Sequence, residues 1–270
     1  MKKWITCIIM AVMMAAMIFM GTGNNVFADD EVTYDSNMQT KKFDVNVKVG
    51  KDGSYTVTEN IKVKFVNPRH GIYRYIPYKG NVVTIDKNGG QKKLLYYADF
   101  DLLKNDSNTD LQEDSDGNSE VLQFGSEDYT VNEGNYKFTY QLTPQYQGDT
   151  FDYLYYNIFP TLWRNNIPKG STFTIHFPKK TDLKSVNFFY GRYGESKNAK
   201  DVLTLKYDEK NAQITGTLKK SLPFKNGLTC YSDLGDGYFT ERNEIGAGGF
   251  IFVVTIGILL IIAVLFARFG

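Results

Sequence analysis

The side chains best placed by type and spacing to do chemistry lie between positions 67 and 77, in the run Asn67-Pro68-Arg69-His70-Gly71-Ile72-Tyr73-Arg74-Tyr75-Ile76-Pro77. Guanidinium forks bind carboxylates and phosphates, imidazole carries protons near neutral pH, and phenol rings stack on planar groups. Arg69, His70, Tyr73 and Arg74 therefore form one candidate binding set, in which the cations meet an anionic group and the tyrosines stack. The same residues fit a structural corner, with Arg74 hydrogen-bonding backbone carbonyls while Tyr73 and Ile76 plug a core. Buried Arg and Tyr need fixed partners, which weighs toward the corner. Pro68 and Pro77 keep the run from joining a central strand over its full length.

A second dense group is Tyr153, Tyr155, Tyr156, Asn157, Phe159 and Trp163. Its exposed form would be a stacking platform for sugar rings, with Tyr156, Asn157 and Trp163 as binding residues. Its buried form would fill the space between two sheets, and aromatics so often dominate such cores that packing is the stronger reading.

Catalytic and metal signals are sparse. The two histidines are His70 and His176, and His176 alternates with Ile175 and Phe177 on an expected strand, facing solvent. There is no Gly-x-Ser-x-Gly elbow, His-Glu-x-x-His helix or phosphate-cradling glycine loop in residues 29–248. An acidic stretch, residues 104–120, contains Asp114-Ser115-Asp116-Gly117-Asn118. Aligned on Gly117 as the sharp turn of a calcium loop, it places Gln112 at the first ligand position and Gln123 where a bidentate Glu is needed. A solvated loop is the better reading. Cys230 stands alone once Cys7 is assigned to a leader, so no intrachain disulfide and no cysteine metal site is expected. The expectation is no catalytic residue, no metal and no cofactor.

These groups must be positioned by strands. Phe43, Val45, Val47 and Val49 alternate, Lys51-Asp52-Gly53-Ser54 makes a turn, and Tyr55, Val57, Glu59, Ile61, Val63 and Phe65 alternate back. Period two on both sides of Asp-Gly predicts a hairpin. Glu59 is the single break and must sit at an edge or find a partner. Further strands are predicted over 82–85, 94–100, 121–124, 136–142, 172–177, 186–190, 202–207 and 212–218. No long apolar stripe of helical period occurs between residues 40 and 240. The expected fold is all-β, an antiparallel β-sandwich over residues 42–240.

The two ends concern membranes. Lys2 and Lys3, an uncharged run from Trp4 to Met20 and small residues before Asp29 predict a signal peptide over 1–28. Residues 29–41 read as a flexible lead-in and 241–248 as a tether. Residues 249–267 are uninterruptedly apolar and long enough for one transmembrane helix, with 268–270 as a cytoplasmic tail. The domain between is expected outside the cell membrane. A formal net charge of +1 argues against a nucleic-acid partner, which would need a basic face.

Together these segments resemble the N-terminal region of the domain-of-unknown-function 2207 family, predicted membrane proteins of bacteria and archaea. The carriers are the signal followed by the Asp52-Gly53 hairpin, His70-Gly71-Ile72-Tyr73-Arg74 with Ile76-Pro77, and Tyr156-Asn157-Ile158 leading to Trp163. Tyr190-Gly191 with Gly194, and Gly227-Leu228-Thr229, follow in the family's order. The family pattern has an acidic residue at the place of Tyr75 and a Trp-Asn pair at the place of Tyr156-Asn157. Its members continue into further membrane helices and a glycine-rich tail, so this chain resembles a short form with one anchor. The resemblance implies location and domain identity and supplies no activity. The expected function is a membrane-anchored extracytoplasmic binding or interaction domain of the bacterial envelope, its partner an envelope protein or a cell-wall polymer. The alternatives are an envelope-polymer hydrolase or transferase and a subunit of a larger membrane assembly.

Overall fold

The computed structural model describes residues 32–85, 91–145 and 152–242. The segments expected as leader (1–28), tether beyond Arg242 and membrane helix (249–267) lie outside the described residues. Among the described residues no helix is long and apolar enough to cross a membrane.

The alternating sequence forms strands where expected. β1 (Met38–Val49) and β2 (Tyr55–Arg69) make the hairpin; β1 begins inside the stretch read as lead-in. β3 (Gly71–Pro77), β4 (Lys79–Ile85), β5 (Gln91–Asn105), β6 (Leu111–Ser115), β7 (Ser119–Gly125) and β8 (Val131–Pro144) follow. Then come β9 (Asp152–Phe159), β10 (Thr172–His176), β11 (Asn187–Gly191), β12 (Lys197–Asn198), β13 (Leu203–Asp208), β14 (Gln213–Leu218) and β15 (Gly227–Gly235). The helical residues described are two short 3-10 turns, Leu183–Ser185 and Ala199–Asp201.

Three sheets result. The largest has the order β13-β14-β10-β1-β2-β8-β5-β4, the second β12-β11-β15-β9 and the third β3-β7-β6. One pairing departs from the antiparallel expectation: β1 runs parallel to β10, with Val45 opposite Phe173 and Val47 opposite Ile175. Side chains at the start of β10 set this direction. The Phe43 amide donates to Ser171 Oγ at 3.1 Å, and Thr172 donates to Asp44 Oδ1 through both its amide (3.0 Å) and its hydroxyl (2.7 Å). Ser171 and Thr172 therefore arrive beside the middle of β1, where its open edge lies.

Alternation dictates what each face carries. Phe43, Val45, Val47, Tyr55, Val57, Ile61 and Val63 all point inward and are buried. Aromatic edges join the first and second sheets: Phe43 meets Phe159 at 5.8 Å, Tyr55 meets Tyr156 at 5.4 Å and Phe173 meets Phe188 at 5.4 Å. Trp163 closes on Phe43 at 5.3 Å, perpendicular to it, and its indole N–H donates to Thr40 Oγ1 at 2.8 Å. The aromatic residues Tyr153, Tyr156, Phe159 and Trp163 thus pack in the buried core.

Two segments without a predicted strand contain one. β3 occupies most of the 67–77 run, and β6 lies at positions 111–115 of the acidic stretch, between turns. β3 is an edge strand of a three-stranded sheet, which is why Pro77 at its end is tolerated. The acidic residues of β6 stay exposed, so its polarity records an outer strand and not a loop.

Candidate functional site

Arg74 is the first of the sequence-nominated residues to be settled by its surroundings. It projects from β3 into the core, 3 % exposed, and meets Glu59 of β2, which is 0 % exposed. Its Nε and Nη2 donate to Glu59 Oε2 and Oε1 at 2.8 Å each, and Nη1 donates to the Tyr75 carbonyl. Tyr140 donates to Glu59 Oε1 at 2.9 Å and shares a 2.8 Å hydrogen bond with Tyr156. Burial opposes the Arg74 charge, but the Glu59 carboxylate outweighs it and holds the guanidinium pKa above its ordinary value. Burial, reinforced by Glu59, likewise drives the Tyr140 and Tyr156 phenols upward. The break in alternation at Glu59 has its partner, and the group is closed to ligands.

The other nominated residues separate. Tyr156 (5 % exposed) and Trp163 (3 %) are core residues. Asn157 is exposed and accepts from Thr229 Oγ1 at 2.7 Å. Tyr73 is 41 % exposed, on the opposite face of β3 from Arg74, so it does not plug the core; Ile72 and Ile76 do. Arg69 forms an ion pair with Asp35 and lies over the Phe65 ring. The fold therefore does not bring these residues into one site.

His70 opens onto a cleft. It sits at the bend between β2 and β3, and Nδ1 contacts two carbonyls, Ser126 at 2.8 Å and Tyr129 at 2.9 Å. Both partners accept, so Nδ1 carries the proton, and Nε2 is the nitrogen left for other work. The bend depends on two glycines. Gly71 (φ +154°) pairs with Gly125 (φ +134°), and a Cβ on Gly71 would lie 1.7 Å from the Phe124 carbonyl oxygen.

The cleft encloses about 250 Å³ and is lined by His70, the turn after β5, Tyr129 and the start of β8. That turn is fixed internally: Asn105 Nδ2 donates to the Thr109 carbonyl at 3.0 Å and the Ser107 amide donates to Asn105 Oδ1 at 2.9 Å. It is also docked on β8, where the Asp106 amide donates to the Lys137 carbonyl at 2.7 Å. Asp106 accepts from Lys104 Nζ at 2.7 Å. Tyr129 and Thr109 share a hydroxyl contact of 3.3 Å. Asp106 entered the sequence reading only as part of the acidic stretch 104–120, and Glu133, Asn135 and Tyr129 were not singled out; the signal that could have marked the turn is the chemistry of Asn105-Asp106-Ser107-Asn108. Among the described residues no group of three or more His, Cys, Asp or Glu is placed to hold a metal ion.

The family pattern for the N-terminal domain of the predicted membrane protein DUF2207 matches residues 39–220. The chain belongs to this family. The match takes in the DUF2207 hairpin, the His70 bend and the Glu59–Arg74 pair. No curated protein matches the chain. Solved structures similar to this DUF2207 domain include the M1 zinc metallopeptidase from Deinococcus radiodurans, 12% identical, covering 73% of this chain and 43% of that one at a TM-score of 0.38. Native leukotriene A4 hydrolase from Saccharomyces cerevisiae is 12% identical, covering 80% of this chain and 33% of its own at a TM-score of 0.35. The DUF2207 chain thus spans less than half the length of either enzyme, and likenesses this distant carry no argument about its activity.

Proposed function

We propose that the chain is a membrane-anchored extracytoplasmic binding domain of the cell envelope. In this reading the first two sheets form a β-sandwich, residues 249–267 form the anchor, and the His70 cleft is the recognition site. The observation that carries it is the placement of exit and cleft at opposite ends of β2. The β1–β2 turn receives the end of the described chain, where the Glu241 amide donates to the Lys51 carbonyl at 3.3 Å. Arg242 and the Phe239 amide are held by the buried Asp152 carboxylate, at 2.8 and 3.0 Å. His70 lies beyond the other end of β2, and the regular part of that strand, Tyr55 to Lys64, alone spans about 30 Å at ~3.3 Å per residue. A domain tethered at Arg242 would present the cleft away from the bilayer.

The test is topological. Asn108→Cys, on the exposed rim of the cleft, should react with a membrane-impermeant maleimide in intact cells, while Phe269→Cys should react only after lysis. Labelling of Asn108→Cys only after lysis would sink the reading.

An envelope hydrolase or transferase has one observation in its favour, since the cleft does gather His70 with Asp106 and Glu133. It requires release of reducing ends from an envelope polysaccharide, abolished by Glu133→Gln.

A further inference from the structure

We infer that the His70 cleft takes a single neutral or amino-substituted sugar ring of an envelope polysaccharide. The inference rests on the binding reading of the cleft and names its ligand class. Charge makes the first selection. Among the described residues no Lys or Arg lines the cleft, whereas Asp106 and Glu133 do. Of the cations nearby, Lys104 pairs with Asp106 and Arg69 with Asp35, while Lys64, opposite Glu133 in the β2–β8 register, and Lys137 do not line the cleft. A phosphate or carboxylate ligand would meet acceptors in the lining and no charged donor there, which disfavours anions. Hydroxyl and amine donors fit the same acceptors.

Shape makes the second selection. Tyr129 is 46 % exposed, yet its hydroxyl meets Thr109 and its carbonyl accepts from His70. A ring fixed in this way offers an apolar face to the C–H face of a pyranose while losing little rotamer freedom on binding. The Asn105–Thr109 turn is fixed by its own hydrogen bonds, so its side chains are also preorganised. The volume of about 250 Å³ lies below the ~300–1,000 Å³ of sites that enclose drug-sized ligands, and suits one ring of a polymer that continues into solvent.

The full chain reconstituted in phosphatidylcholine nanodiscs is to be titrated calorimetrically with chitotetraose and with cellotetraose. Saturable binding of either is expected. Tyr129→Ala should weaken it about tenfold, the equivalent of a lost aromatic face, while Tyr129→Phe stays near the parent. Glu133→Gln should weaken it as well. Both positions changed are exposed, so an unchanged melting temperature is the expected control. Absence of saturation by both sugars at about 10 mM, well above a Kd of ~1 mM, overturns the inference. So does binding indifferent to Tyr129→Ala, or binding displaced by inorganic phosphate. The topological labelling of Asn108→Cys is independent of these outcomes, so location and ligand class fail separately.

Discussion

Glu59 and Arg74 face each other across the core with two parallel hydrogen bonds of 2.8 Å, and neither side chain is more than 4 % exposed. The pair ties β3 of the small sheet to β2 of the large one, and Tyr140 and Tyr156 extend it to the second sheet. Arg74→Met strands a buried carboxylate, a loss of about 3–5 kcal/mol that lowers the melting temperature by roughly 10 °C. Adding Glu59→Gln removes the orphaned charge and should restore much of the loss. Thermal melting of the two single variants and the double checks this, and additive losses would show that the two residues are uncoupled.

Gly71 offers a sharper contrast. Gly71→Ala drives a methyl group against the Phe124 carbonyl and should cost about 3 kcal/mol or more, because backbone must move. Gly117 also has a positive φ of +85° but open space around it. Gly117→Ala should cost only about 1 kcal/mol. Urea unfolding of both variants measures the difference; similar midpoints would refute the crowding argument.

Burial and, secondarily, Lys48 hold the His176 pKa below its ordinary value. Lys48 lies opposite His176 in the parallel register, and Asn46 Nδ2 donates to His176 Nε2 at 3.3 Å, a bond the protonated ring cannot accept. The unfolded chain then binds the proton more readily, so this contribution to stability is present above about pH 6.5 and is lost as the pH falls toward the depressed folded value. Lys48→Gln should shift the His176 titration, followed by NMR, upward. A downward shift or none would remove Lys48 as a cause.

Cys230 is wholly buried, and burial pushes its thiol up to about 12. In a Cys7→Ala background it should be inert to Ellman's reagent in the native state and react at the rate of global unfolding. Fast native-state labelling would show that β15 opens locally.

Most strands whose alternation buries one face were legible in the sequence, as was the Asp52-Gly53 turn; β15 was not, although its Leu228, Cys230 and Ser232 alternate inward. Three others were missed for separate reasons. β6 has almost no inward face to alternate, β3 is a short run bounded by Gly71 and Pro77, and the near-continuous apolar character of β9 gives no period. Glu59 announced that it needed a partner, but only the fold shows that Arg74 is that partner. The cleft was invisible because its walls, His70, Asp106 and Tyr129, come from separate turns whose meeting depends on the β5–β8 register.

The parallel pairing of β1 has a consequence for the order in which the chain can mature. Its second edge is sealed only by residues 128 positions downstream, so closure is a long-range event that slows folding. A chain maturing in N-to-C order would hold the β1–β2 hairpin complete while Val45 and Val47 still present unpaired backbone on one side. Until Thr172 arrives, that edge is a template for a strand from any neighbouring chain. A fragment ending at Gly170 should therefore sediment as oligomers, and the stretch from Ser171 to His176 is what turns an adhesive intermediate into a finished domain.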